Sequence, residues 1–398
     1  MHLVIVSPFP PNTTGISQYS YYISRALAQS GVFSRITVLA GAAFPSQSNI
    51  PTAPVAVERV WQTEHLDATR LILARLRRLT PDLVWFNLGA SIFGQSPLAN
   101  LVGCLSPGLA QRSGYPTIVT LHELVELADL RALNAPGGPF ARLGARLLTN
   151  FSTRADVVCL TMRRYVEWFK LHRPSVRCMH IPIGAYDLPE NLPEPATQKL
   201  LLFTTQAPYK GIELLLEAHR LLLPNYPALQ LTISGMPHPR FPAYSENLRQ
   251  KYGYHPGVHW IGQVRQEEVR SLFQNAQLII LPYTASTGSS SVLFQAAMWG
   301  RPAVVSDLEE IRSMVSEIGL QVDIFKTGDI ASLLQAIQAQ LNDPKRRKAQ
   351  VEHNMRSIMR MLPEHIASLY LQAFNLALQA SDSPKRLKIP LSDQTGSI

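Results

Sequence analysis

The sequence predicts an α/β protein made of two doubly wound domains, and three observations carry that prediction. At 398 residues the chain is longer than one hydrophobic core usually serves. Short apolar runs alternate with longer amphipathic stretches from one end to the other. A Pro-rich, acidic stretch without periodicity, residues 186–198 (YDLPENLPEPATQ), divides that alternation into two series.

In the first series the runs 3–7, 35–39, 82–87, 117–121 and 156–161 read as strands. In the second, 199–204, 229–234, 258–262, 277–282 and 302–306 do so. Their nearly unbroken apolar character fits strands covered on both faces, hence parallel sheets flanked by helices. Helical patterns fall between them at 18–30, 212–223, 267–275, 290–299 and 329–341. The expected layout is a first Rossmann-like domain at 1–185, a linker at 186–198 and a second Rossmann-like domain at 199–361. A break at 361–364 precedes an amphipathic helix at 365–376. Residues 362–380 are accordingly expected to form a C-terminal helix packing back towards the first domain, followed by a disordered polar tail at 381–398.

Composition narrows the classes. Hydrophobic residues make up 46% and charged residues 16%, ordinary for a globular protein. The net charge of +9 lies mostly in the first half, where nearly all cations are Arg. Nucleic acid, anionic lipid and phosphate-bearing substrates are the partners such a surface allows, beside no specific partner at all. Dispersed basic residues without a stacking motif argue against nucleic acid. Cys104, Cys159 and Cys178 are widely spaced, which favours reduced, buried thiols and a cytoplasmic setting over a disulfide framework or zinc site. The opening MHLVIVSPFPPN is too short an apolar stretch for a signal peptide. No eighteen-residue apolar window is present, so no transmembrane helix is expected.

Two segments carry chemistry. In 281–307 (LPYTASTGSSSVLFQAAMWGRPAVVSD) a strand ends at Pro282, a small-residue loop runs to Gly288, and a helix begins among Ser289, Ser290 and Ser291. Free N–H groups at a helix start favour phosphate, although a serine-capped loop is also common. In 207–218 (APYKGIELLLEA) Lys210 follows the strand 199–204, so it sits at a strand's carboxyl end, where open α/β sheets bind ligands. Its ammonium can neutralise a diphosphate as a point charge, or simply be solvated.

These two segments, in this order, resemble the C-terminal domain of family-4 retaining glycosyltransferases, which have the GT-B fold: two Rossmann-like domains with a cleft between them. Residues 259–277 (HWIGQVRQEEVRSLFQNAQ), 231–235 (LTISG), 7–15 (SPFPPNTTG) and 181–184 (IPIG) are similar to further stretches of that family. The resemblance spans roughly residues 1–380. It implies transfer of a sugar from a UDP- or GDP-sugar to a glycan or lipid-linked acceptor hydroxyl, with no cofactor. Lys210 would contact the donor diphosphate, and the amides of Gly288, Ser289, Ser290 and Ser291 would hold its distal phosphate. Gly15 would let the first domain's loop close over the diphosphate. Gly235, Gly262 and Val264 would lie along the donor, the last two against the base. His122, in Thr120-Leu121-His122-Glu123, matches the family's histidine facing sugar and acceptor; a core histidine is the alternative.

Departures from the pattern are specific. Thr287 and Gln295 stand where the family usually has two Glu, and Thr205 where it usually has an Arg. Gln295 can still bond ribose hydroxyls through its amide. Glu310 aligns with a Glu the family often has. The resemblance further implies a front-face, retaining mechanism in which the leaving phosphate takes the acceptor proton, and domain closure about 186–198. No Asp-x-Asp element or His/Cys cluster offers a metal site, so metal-independent activity is expected. A non-catalytic homologue binding a nucleotide, glycan or partner enzyme is the alternative that the lost Glu pair leaves open. Basic helical stretches at 68–79, 142–148 and 163–170 are candidates for contact with an anionic membrane surface, or the solvated faces of packed helices.

Overall fold

The computed structural model describes residues 1–12, 14–42, 54–135 and 137–381. The described residues divide into two compact units: those within 1–123, 144–182 and 363–381, and those within 124–143 and 183–362.

The first unit holds a seven-stranded sheet of β1 (His2–Val6), β2 (Arg35–Gly41), β3 (Ala56–Trp61), β4 (Leu83–Leu88), β5 (Thr117–Leu121), β6 (Val157–Leu160) and β7 (Cys178–His180). The order is β3-β2-β1-β4-β5-β6-β7 and every pairing is parallel. Its helices are α1 (Gly15–Gln29), α2 (Ala68–Leu79), α3 (Pro97–Gly103), α4 (Ser106–Arg112), α5 (Pro139–Ser152), whose first turn belongs to the second unit, and α6 (Arg163–His172). Every residue of β4, β5 and β6 is buried, as unbroken apolar runs require.

The second unit holds β8 (Lys199–Phe203), β9 (Gln230–Ser234), β10 (Val258–Ile261), β11 (Leu278–Leu281), β12 (Ala303–Ser306) and β13 (Asp323–Phe325), all parallel, in the order β10-β9-β8-β11-β12-β13. Around them lie α7 (Ile212–Leu222), α8 (Tyr244–Tyr252), α9 (Gln266–Gln274), α10 (Ser291–Met298), α11 (Glu309–Ile318), α12 (Ile330–Asn342) and α13 (Pro344–Ile358). In each sheet the order reverses between the first and fourth strands of the series, β1/β4 and β8/β11. At such a switch point the loops leave in opposite directions and open a crevice at the carboxyl edge.

The last helix, α14 (Pro363–Ala380), returns to the first unit and packs on α1, β5 and β6. A buried polar seam anchors it: the Tyr370 hydroxyl lies 2.7 Å from that of Tyr19 and 2.8 Å from Thr120 Oγ1, which also accepts from Trp85 Nε1 at 2.9 Å. The tail expected beyond 381 lies outside the described residues.

All ten expected strands are present, with three more at sheet edges. Residues 186–198, read as a linker, are held within the second unit. The buried Arg301 guanidinium donates to five carbonyls, those of Phe273, Gln274, Gly300, Leu192 and Pro193, at 2.8–3.0 Å. Glu190 meets Arg270, and Glu194 accepts from Arg347 and Gln277. A segment with few apolar side chains thus gains order from polar contacts that periodicity does not register. The connection between β5 and α5 was not expected to leave its domain, yet residues 124–143 join the second unit. There Leu133 is buried with Ala207, Tyr209 and Ala285.

Candidate functional site

In the second unit the two chemistry-bearing segments leave adjacent strands at the switch point. Lys210 ends a 3-10 turn, Pro208–Lys210, directly after β8, and the small-residue loop follows β11. Backbone bonding joins them, since the Thr284 amide donates to the Tyr209 carbonyl at 2.9 Å. Gly211, which must turn the chain from Lys210 into α7, has φ 65°, and a Cβ there would meet the Pro282 carbonyl oxygen at 1.9 Å. Only glycine permits that approach.

The Lys210 ammonium sits 3.8 Å above the ring centroid of Tyr283 and 5.5 Å from that of Tyr209. Tyr283 is buried, and its hydroxyl donates to Thr204 Oγ1 at 3.0 Å. A cation held over an aromatic face is positioned by attraction to the negative face of the ring. His238, from the loop after β9, is near enough to Lys210 to feel its charge. Burial first, then Arg240 and Lys210, push its imidazole down to about 4, so the ring is neutral near pH 7.

At the start of α10, Ser290 is the N-cap but its hydroxyl makes no capping bond. The Ser290 amide points at the thioether of Met314, 3.2 Å away, a weak acceptor. The amides of Ser291 and Val292 have no acceptor among the described residues. N–H groups without an acceptor at a helix start are the kind of donors that phosphate oxygens accept from. Gly288, Ser289 and Thr287 are half-buried in the preceding loop. Gln295, one turn into α10, is 3% exposed, and its Oε1 is shut from solvent with no hydrogen-bond partner among the described residues.

The remaining expected positions of this unit share the same edge. Gly235 follows β9, with φ 130° and its amide 3.1 Å from the carbonyl of Gly262, which follows β10 with Val264 two residues on. A Cβ on Gly235 would strike the Thr204 carbonyl oxygen at 1.9 Å. Gln206 reaches across to donate to the Gly235 carbonyl at 2.8 Å. Sequence reasoning missed Tyr283, His238 and Gln206. The Tyr283 signal was available, as the first aromatic past the strand end beside Pro282.

The first unit offers a separate polar cluster at the carboxyl ends of β1, β4 and β5. His122 is 6% exposed, with Nε2 2.7 Å from Asn87 Oδ1 and its ring edge-on to Tyr19, centroids 4.8 Å apart. Burial pushes its imidazole down to about 3, so it is neutral. Gly15 is exposed at the first position of α1, beside the N-cap Thr14, whose hydroxyl accepts from the Ser17 amide at 3.2 Å. Among the described residues no group of three or more His, Cys, Asp or Glu is gathered as a metal site, and no helix is long and apolar enough to cross a membrane. All three cysteines are unpaired; Cys104 and Cys159 are buried, Cys178 partly so.

Two parallel, doubly wound units, one with a helix start and a lysine following adjacent strands at its switch point, define a two-domain α/β protein of the doubly wound class. Residues 187–356 match the family model for glycosyl transferases group 1, and residues 14–184 match that of a glycosyl transferase 4-like domain. The chain belongs to the group 1 glycosyltransferases and has their two-domain GT-B fold. Among solved structures it is similar to sucrose-phosphate synthase of Thermosynechococcus elongatus (TM-score 0.74, 18% identity, 96% of this chain and 100% of that one covered). It is similar also to Anabaena HepE in complex with UDP and glucose (0.68, 15%, 94% and 99%). A third is an E. coli trehalose-6-phosphate protein bound with UDP-2-fluoro glucose (0.67, 13%, 94% and 99%). No curated protein matches the chain by sequence.

Proposed function

We propose that this glycosyltransferase moves a sugar from a UDP-sugar to an acceptor hydroxyl with retention of configuration, without a metal ion, in the synthesis of a polysaccharide, glycolipid or cell-envelope glycan. One observation carries the reading: the amides of Ser291 and Val292, without an acceptor among the described residues, open the helix that follows β11, and Lys210 follows the adjacent strand β8 at the same switch point. As the glycosidic bond breaks, negative charge grows on the leaving phosphate. Amides and an ammonium fixed beforehand stabilise that charge at little reorganisation cost, and the dipole of α10 adds to them. A metal ion would duplicate that work. The leaving phosphate takes the acceptor proton, so no general-base carboxylate is needed, and the Thr at 287 is compatible with turnover.

Gln295 is assigned to the ribose, the edge from Gly262 to Val264 to the base, and Gly15 to the diphosphate. The neutral His122 offers a hydrogen bond to a sugar or acceptor hydroxyl. Uridine is favoured over guanosine because two of the similar structures were solved with UDP or a UDP-sugar. Docking on the inner face of an anionic membrane is supported by apolar side chains left in solvent among basic ones: Phe140, 89% exposed, and Leu143 beside Arg142 and Arg146, and Leu171, 77% exposed, beside Lys170.

A thermal-shift screen of UDP, GDP, ADP and their sugars tests the reading. UDP ligands should raise the melting point and the others should not, and Lys210→Ala should abolish the shift. No shift with any nucleotide at millimolar concentration would refute it. EDTA-treated enzyme should keep its turnover; a dead enzyme rescued by magnesium or manganese would remove the metal-independent mechanism. Hydrolysis or transfer of the sugar separates an enzyme from a binding-only homologue.

A further inference from the structure

The polar cluster under His122 fixes more than the position of the ring. Ser7 just past β1, Ser20 within α1 and Asn87 near the end of β4 are fully buried, and they form a closed set of hydrogen bonds. Ser7 Oγ donates to the Pro8 carbonyl at 3.0 Å, and Ser7 and Ser20 bond to each other. Two hydroxyl hydrogens are available. A carbonyl cannot donate, so one hydrogen goes to Pro8, and the other must lie between the two serines. None remains for Asn87. The Asn87 group facing the serines, 3.1 Å from Ser7 Oγ and 2.8 Å from Ser20 Oγ, must therefore be its NH2, with both hydrogens spent.

That count turns Asn87 Oδ1 towards His122, and the 2.7 Å contact with Nε2 can form only if Nε2 carries the hydrogen. Nδ1 then holds the lone pair, and it makes no hydrogen bond among the described residues. We infer that Asn87, locked by Ser7 and Ser20, is a positioning residue that holds His122 as the Nε2–H tautomer, so that Nδ1 acts only as a hydrogen-bond acceptor towards a substrate hydroxyl. This rests on the reading that His122 faces the substrate. It limits the ligand groups at that spot to donors: a free hydroxyl of the sugar or acceptor fits, whereas an ether oxygen or a carbonyl at the same place meets a lone pair. The ring of Tyr19 packs edge-on against the imidazole, centroids 4.8 Å apart.

The full-length protein labelled with 15N-histidine decides this first. Two-bond proton–nitrogen correlation spectra, with the His122 signals assigned through His122→Asn, should show Nε2–H near pH 7. An Nδ1–H pattern in the unmutated protein would overturn the inference. Asn87→Ala should release the ring to a tautomer mixture, while Asn87→Asp, which keeps an acceptor opposite Nε2, should retain the Nε2–H pattern. Ser20→Ala is a milder variant should Asn87→Ala fold poorly, and it should broaden the same signals.

With UDP-glucose as probe, Asn87→Ala should lower kcat by about 10- to 100-fold, the cost of losing a reacting partner's alignment, with KM much less affected. In the His122→Ala background it should cost nothing more; an equal further loss there would overturn the positioning role. If His122→Ala leaves turnover intact while the native ring shows Nε2–H, the substrate-facing reading fails and the tautomer assignment survives.

Discussion

At the scale of single residues, the site relies on a few groups whose surroundings decide what they can do. Lys210 is half-buried over Tyr283, so its removal should leave the fold nearly unchanged. Lys210→Ala is expected to lower kcat/KM by on the order of 100- to 1000-fold, the usual loss when one preorganised stabiliser of developing charge is deleted. Steady-state kinetics beside a melting curve checks both halves of that statement. Gln295 behaves differently, because its Oε1 is buried without a partner. Gln295→Leu should keep or raise the melting temperature, since an unsatisfied acceptor is lost, while UDP affinity should drop by about tenfold, near the worth of one hydrogen bond. A lower melting temperature with unchanged UDP affinity would make Gln295 a structural amide. Lys210 could be placed from the sequence because a strand end precedes it by only a few positions. Asn87 could not: its partner His122 lies 35 positions away, just past the end of the next strand in the sheet, and only the register of β4 with β5 brings them together. Ser7 and Ser20 were invisible for the same reason, one at a strand end and the other on a helix face.

At the scale of elements, apolar runs revealed the central strands and polar contacts hid the rest. The missed strands are edge elements: β3 shows exposed and half-buried positions over most of its length, β7 is half-buried throughout, and β13 has three residues. A half-wet edge strand lacks the unbroken apolar run that betrays a covered one. The long helix α13 was likewise missed, because its residues are mainly charged and polar and its packing residues include Arg347, Gln350 and Asn354. The strongest case is the stretch 186–198, where proline and acid suggested a linker and Arg301 instead draws Leu192 and Pro193 into the second unit. Burial pushes Arg301 down to about 10, still charged near pH 7, and every one of its five donors is used. Replacing it by Met would leave five carbonyls short of a donor in a buried place. Arg301→Met should therefore destabilise the protein by about 3 kcal/mol or more, and Arg301→Lys by nearly as much, because an ammonium cannot span that fan of acceptors. Urea unfolding measures it. A loss under about 1 kcal/mol would show that water replaces the guanidinium readily and that 186–198 is held by other contacts.

At the scale of the whole molecule, the histidines give the fold a pH signature. Burial lowers the affinity for protons of four rings: His2; His122, to about 3; His238, to about 4; and His219, whose Nε2 donates to the Leu229 carbonyl at 3.0 Å and whose Nδ1 is buried without a partner among the described residues. In the unfolded chain each regains a value near 6.5. The unfolded state therefore binds protons first as the medium acidifies, and stability falls with falling pH. The contribution of these rings is fully present above pH 6.5. It is lost progressively below that, and continues to be lost down to the depressed values of the folded state. Carboxylates held low in the fold, Glu217 by Arg220 and Glu268 by Arg265, act in the same direction, but only below the ordinary carboxylate range. The interval from about pH 6.5 to 5 thus belongs to the histidines. Melting temperature at constant ionic strength should be level from pH 8 to 7 and fall steadily through that interval. His219→Gln, which can still donate to Leu229 but does not titrate, should flatten part of the slope. A melting temperature that holds down to pH 5 would mean that the buried rings take up protons without opening the fold, and so that the interior around β5, β8 and β9 admits water and charge far more readily than its packing implies.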